Sequence, residues 1–277
     1  MTILSLLKYE ALGNDFLIAL DPHVLDGAGA PAVAAALCDR HRGVGADGII
    51  VVRPPSNGGA GTMELYNADG GRAETSGNGL RCLALALVDS GAVASRQVVI
   101  ETGGGVVTAA VGPRPEFGCT DVTVSMGTVT LGRPERPAPV LGERFESRTA
   151  EVGNPHLVLV GPSLEGVEIT IVGPQLETAR PGGQNVEVVA PDGLGGLELV
   201  VWERGAGATK ACGSGSCAAA AAARAAGLVG DRVPVANPGG TLIVDLAGSA
   251  STPSATLTGP ARRVARLEVE VGPEGLR

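Results

Sequence analysis

The sequence predicts an α+β fold made of two pseudo-symmetric β-rich domains, each wrapped around a central helix. Three observations carry that expectation. The chain matches itself at a fixed offset; each half breaks into short strands rich in Val, Ile and Leu between Gly, Pro and Asp turns; and each half holds one long apolar helix. Shifted by 136 residues, ELYNADGGRAETSGNG from Glu64 to Gly79 lies over VVWERGAGATKACGSG from Val200 to Gly215 without a gap. The register continues through Gly91 on Gly227, Val99 on Val235, and Gly103 and Gly104 on Gly239 and Gly240. Upstream, at a shift of 140, ALGNDFLIAL from Ala11 lies over EVGNPHLVLV from Glu151, so that each half opens an apolar strand with a Gly-Asn pair, Gly13-Asn14 and Gly153-Asn154.

The first helix is expected from Gly77 to Ser90, where Leu80, Leu83, Leu85, Leu87 and Val88 leave little polar face, and it stops near Gly91. The second runs from Gly213 to Ala226, nearly all alanine apart from Arg224, and stops near Gly227. A helix apolar all round is buried, and a glycine just past its last turn suits a left-handed cap.

Composition narrows the function. With 21 Lys and Arg against 29 Asp and Glu, a formal charge of −8 and no run of basic residues, nucleic acid and anionic membrane are poor partners, which leaves a small solute. Aromatic residues make up only 2%, too few for a stacking platform. The apolar runs are too short to span a bilayer, and Lys8, Glu10 and Asp15 interrupt any secretory core, so neither a membrane span nor an export signal is expected. Five cysteines, Cys38, Cys82, Cys119, Cys212 and Cys217, in a chain this long point to a reducing cytoplasm. His23, His41 and His156 lack metal-ligand spacing, and neither G-x-G turn completes a dinucleotide fingerprint, so no metal or cofactor is expected.

Both central helices begin with a small, polar, glycine-rich turn: SGNGLRC from Ser76 to Cys82 and CGSGSC from Cys212 to Cys217. The first amides of a helix have no intrahelical partner and carry a positive partial charge, which binds an anion or stabilises a thiolate. Cys212 is therefore expected to have a lowered pKa and to act as a base or nucleophile. The plainer alternative is that the glycines allow close packing and Cys212 is a small buried apolar residue. Asn67, Glu203 and Arg204 stand at strand ends near these helix starts, with ordinary turn chemistry and a solvated ion pair as their plainer readings. Two anion-binding helix starts facing each other would grip a carboxylate and set a side chain on either face of the adjacent carbon. Inverting a stereocentre by proton transfer needs that arrangement.

Together with GNDF at Gly13, GVGADG at Gly43, NADG at Asn67, GNPH at Gly153, QNVEVV at Gln184, WERGAGATKACGSGSC, and the late PGG and TGP at Pro238 and Thr258, these motifs resemble the diaminopimelate epimerase family over nearly the whole chain. The resemblance implies cofactor-independent epimerisation, a homodimer, and a site in the cleft between a domain of residues 1–119 plus 264–277 and one of 120–263. It assigns substrate binding to Asn14, Asn67, Asn154, Asn185, Glu203 and Arg204. Carboxylate cradling falls to Gly77, Asn78, Gly213 and Ser214, and Cys212 matches one of two catalytic cysteines.

Where the family has the other cysteine, this chain has Ser76. A serine hydroxyl titrates far above a thiol and the motif holds no activating base, while Cys82 lies nearly two turns along the same helix. That leaves open an inactivating substitution, a slower or water-relayed epimerisation, a one-base isomerase, dehydratase or racemase of another amino acid on the same fold, and a non-catalytic amino-acid-binding relative.

Overall fold

The computed structural model describes residues 2–27, 29–73, 76–116, 118–135, 141, 144–272 and 275–276. The chain divides into two compact units, residues 1–124 with 260–277 and residues 125–259.

In unit 1 the elements run β1 (Thr2–Ala11), β2 (Asn14–Ala19), α1 (Ala30–Cys38), β3 (Gly48–Arg53), β4 (Gly61–Asn67), β5 (Arg72–Ala73), α2 (Gly77–Asp89), β6 (Gln97–Thr102), β7 (Gly105–Val111) and β8 (Thr120–Thr128). Strand β2 pairs antiparallel with β1 and parallel with β3; β3 pairs antiparallel with β4, β4 parallel with β6, and β6 antiparallel with β7. From Gly77 to Leu87 every residue of α2 is buried, so the helix meets protein all round. On the other face of the sheet α1 closes a second core, with Ala34 and Leu37 against Leu6, Leu17, Ile49 and Val51.

Unit 2 repeats the order. After β9 (Thr130–Glu135) come β10 (Glu146–Glu151), β11 (Pro155–Val160), α3 (Ile169–Glu177), β12 (Asn185–Pro191), β13 (Leu197–Glu203), β14 (Gly207–Ala208), α4 (Gly213–Ala225), β15 (Arg232–Asn237), β16 (Gly240–Ala247) and β17 (Ser254–Gly272), with β18 (Gly275–Leu276) at the end of the chain. The pairings recur as well: β11–β12 and β13–β15 are parallel, while β10–β11, β12–β13 and β15–β16 are antiparallel. Strand β17 is divided between the units, residues 254–259 belonging to unit 2 and residues 260–272, with β18, to unit 1. Strand β9, which continues from β8, pairs with β10, and the second part of β17 pairs with β1. The Val129 and Leu131 amides donate to the Pro253 and Ser251 carbonyls at 2.8 and 2.9 Å, tying the beginning of unit 2 to its end.

Helix α4 is buried from Gly215 through Ala223, and α3 packs Val172 and Leu176 on the opposite face against Phe145, Leu159, Val186 and Val188. Both central helices end one residue earlier than the sequence pattern suggests, with Ser90 and Ala226 as C-caps and Gly91 and Gly227 just beyond at φ of 73° and 74°. No helix among the described residues is long and apolar enough to cross a membrane.

The two central helices fill their sheets differently: α2 with leucines, α4 with a run of alanines at 1% exposure or less. Leu83→Ala should therefore leave a cavity and cost about 2–5 kcal/mol. Ala220→Leu should overfill a site with no space and cost about 1–3 kcal/mol. Urea unfolding midpoints of the two variants against the parent protein check both values.

Candidate functional site

The two helix starts are built alike. Ser76 is the N-cap of α2, in extended conformation with φ of −145°, and its Oγ accepts from the Gly79 amide at 3.1 Å. Cys212 is the N-cap of α4, with φ of −118°, and its sulfur accepts from the Gly215 amide at 3.3 Å. Each side chain satisfies one first-turn amide of its helix, and a helix start carries the positive partial charge that suits an anion.

In unit 1, Asn14 follows a two-residue hairpin turn at Leu12 and Gly13, both in the left-handed region with φ of 55° and 80°. Asparagine amides are ambiguous in orientation by themselves, but a chain of bonds fixes them here. The Arg81 guanidinium donates to Asn78 Oδ1 at 2.8 Å, Asn78 Nδ2 to Asn14 Oδ1 at 3.1 Å, and Asn14 Nδ2 to Asp47 Oδ2 at 2.8 Å. A fully buried cation stands at one end and an anion at the other, so every donor points the same way. Asn67 ends β4 on the exposed side of the NADG turn, where the Gly70 amide donates to its carbonyl at 2.9 Å and the Ala68 amide reaches the Asp47 carbonyl at 3.0 Å.

In unit 2, Asn154 Oδ1 lies 2.9 Å from His156 Nε2, and His156 Nδ1 lies 2.8 Å from Glu187 Oε1. The side chains of His156 and Glu187 are both completely buried. Asn185 bonds the Pro155 carbonyl at 3.1 Å and accepts from the Arg204 amide at 2.9 Å, which braces the turn after β13. Glu203 and Arg204 turn to different partners: Glu203 accepts from Thr209 at 2.5 Å and lies within hydrogen-bonding reach of Cys212, while the exposed Arg204 donates to the Gly182 carbonyl at 3.1 Å. Ser214 Oγ is 3.6 Å from the Cys212 sulfur.

One expectation is overturned. Cys212 does not have a lowered pKa: burial pushes its thiol well above the usual value, and the carboxyls of Glu203 and Glu187 push it further, outweighing the Ser214 hydroxyl and the Gly215 amide. Burial likewise raises the Glu203 carboxyl. The helix start favours a thiolate, but desolvation beside two acidic groups opposes it more strongly. Cys82 is fully buried and pushed up to about 12 by burial, which makes it a packing residue.

His156, Glu187, Asp47 and Arg81 stand in this machinery although sequence reasoning assigned them no part. A signal for two of them existed. His156 and Glu187 each lie two residues beyond a candidate asparagine, Asn154 and Asn185, and strand period two keeps such residues on one face. The parallel register that sets His156 beside Asn185 brings the two strands together.

The diaminopimelate epimerase family model matches residues 6–132 and 148–264. A diaminopimelate epimerase of Synechocystis sp. is 34% identical over 97% of this chain and 99% of its own, and one of Sphingopyxis alaskensis is 38% identical over 86% and 87%. Among solved structures, a Bacillus anthracis phenazine biosynthesis protein of the PhzF family superposes with a TM-score of 0.78 at 16% identity over 98% of this chain and all of that one. A hydroxyproline epimerase from Agrobacterium vitis gives 0.74 at 17% identity over 97% and 91%. These structural likenesses bear on the fold, and the sequence matches carry the assignment: the chain belongs to the diaminopimelate epimerase family.

Proposed function

We propose that the protein interconverts L,L- and meso-diaminopimelate by moving the α-proton, an isomerase reaction run by its own side chains without a cofactor. The observation that carries this reading is the matched pair of N-caps. Ser76 and Cys212 hold the same place on equivalent helices, each beside first-turn amides suited to a carboxylate. Anchoring the α-carboxylate on those amides acidifies the α-carbon by stabilising the negative charge that develops when the proton leaves. Two-face chemistry requires both helix starts to serve one α-carbon, and the proposal includes that requirement.

Cys212 is the proton-transfer group on its side. Its raised thiol is neutral in the free protein, the form that delivers a proton; to accept one it first passes its own to an acidic neighbour, and Glu203 is within reach. A thiolate made at such a site is a stronger base than an ordinary one, which suits an α-proton of very low acidity. Ser76 donates a hydrogen bond or relays a proton through water, and it limits inversion because a hydroxyl is so weak an acid. Asn14, Asn67, Asn154, Asn185 and Arg204 hold the distal amino-acid end, which distinguishes diaminopimelate from smaller amino acids. The family pattern extends the reading to a homodimer in the cytoplasm.

Proton NMR of L,L-diaminopimelate in deuterated water tests this directly. The expected result is loss of the α-proton signal with inversion, slowed by about 10²–10⁴-fold in Cys212→Ala. Turnover unchanged in Cys212→Ala, or no exchange in the unaltered protein, overturns the reading. Ser76→Cys should raise the inversion rate by about 10²-fold, because it supplies a thiol where the hydroxyl limits transfer. Arg204→Ala should raise KM about tenfold or more while changing kcat little, as seen by initial rates over a substrate series.

A further inference from the structure

The two halves differ in what lies beneath the first turn of the central helix. In unit 1 a Cβ added at Gly79 would meet the methyl of Met63 at 3.0 Å and Ile50 Cδ1 at 3.3 Å, whereas in unit 2 a Cβ at Gly215 would meet Glu187 Oε1 at 2.5 Å. Ile50 and Glu187 occupy matching places. Each lies two residues after the position that pairs, in parallel register, with Phe16 in one half and His156 in the other. The helix start behind Ser76 is therefore backed by hydrocarbon, and the one behind Cys212 by a carboxyl–imidazole pair at 2.8 Å. Because isoleucine and phenylalanine fill the same space in unit 1, the fold does not require ionisable groups there. Glu187 Oε2 is buried and has no hydrogen-bond partner among the described residues, an arrangement with a desolvation cost that packing alone does not offset.

We propose that Glu187 is a positioning residue for the epimerisation: held by His156 beneath the first turn of α4, it sets the charge felt at the Cys212 sulfur and, through His156, the orientation of the Asn154 amide. The proposal rests on the functional reading above, in which Cys212 transfers the α-proton. Cys212 is faced by Glu187 from β12, Glu203 from β13, and the Ser214 hydroxyl and Gly215 amide of its own helix. Glu187 is faced by His156 from β11. With Glu187 Oε1 at Nδ1 and Asn154 Oδ1 at Nε2, the proton positions on the ring and the orientation of the amide are set together: an Nε2–H donates to Oδ1 as the side chains stand, and an Nε2 that accepts would turn the amide nitrogen toward the ring. The charge on Glu187 thus reaches the reacting centre along two routes, one electrostatic and one through hydrogen bonds.

The experiment follows ultraviolet thiolate absorbance against pH, taking the difference between each protein and its Cys212→Ala counterpart. The isosteric Glu187→Gln removes a negative charge beside the thiol, so the Cys212 titration should move down by about one pH unit or more, and kcat–pH profiles should move the same way. Glu187→Ile, which installs the unit 1 residue, should give the same downward shift and confirms the fold's tolerance by circular dichroism. A Cys212 titration unchanged in Glu187→Gln overturns the proposal, as does loss of folding in both variants, which would make Glu187 a structural residue. The titration needs no substrate. A shifted titration in a protein inactive on diaminopimelate would therefore refute the functional reading and not the electrostatic one.

Discussion

A helix buried along its length against a sheet still begins with amides that have no partner inside the helix. The amides that an exposed helix would give to solvent must be met by a side chain, by a ligand, or by both, and leaving them unmet costs as much as losing hydrogen bonds. Each unit meets this constraint the same way at one amide, with the N-cap side chain accepting from Gly79 or Gly215. The same requirement explains why the sequence around each helix start is confined to small residues. At Gly215 any Cβ would collide with Glu187, and at Gly79 it would press on Met63, so these positions have a steric reason to be glycine besides any ligand. Structure and chemistry share one cause here: a helix buried on all sides presents its positive end at its capped first turn.

Repetition was the legible part of this fold. Internal matches placed the two central helices, their N-caps and their glycine ends to within a residue, because helix burial, capping and glycine conformation are local and leave local marks. The outer helices α1 and α3 left weaker marks. Pro31 in the first turn of α1 suits a helix start, but Pro174 lies inside α3 and each helix has only nine residues, so packing against the sheet carries them. In the site, Asn14 and Asn78 lie sixty-four positions apart yet bond to each other, and their joint involvement was foreseen through motifs, not through contact. Arg81 escaped notice because a charged residue on a helix ordinarily faces water, and here it is sealed in by its bonds to Gly77 and Asn78.

The direction of the Cys212 shift was the costliest misreading, and its reason is general. A helix start acts within one turn and is visible in sequence, while desolvation and the carboxyls of Glu187 and Glu203 come from strands β12 and β13, whose register no local pattern reveals. Sign is decided by the sum. When a cysteine caps a buried helix, the favourable amide is therefore half of an argument, and the other half is what the neighbouring strands place beneath it. The plainer reading of Glu203 and Arg204, a solvated ion pair, does not hold either: where β13 ends, the carboxyl turns inward to Thr209 and Cys212 while the Arg204 guanidinium stays at the surface.

Duplication supplies matched geometry, but matched geometry alone makes two equal half-sites, and proton transfer across a stereocentre runs best when one group holds a proton and the other lacks it. Unit 2 contains a thiol, two acidic side chains and an imidazole in one buried cluster, so at least one exchangeable proton is always stored beside Cys212. Unit 1 answers with a hydroxyl whose own backing is hydrocarbon. In the proposed reaction, a substrate ammonium group set beside these carboxyls would favour the charged forms of the thiol and of Glu203, and the substrate carboxylate would oppose it. The two halves would then play unequal parts in that reaction, the thiol of unit 2 as the stronger acid and the hydroxyl of unit 1 as the weaker one.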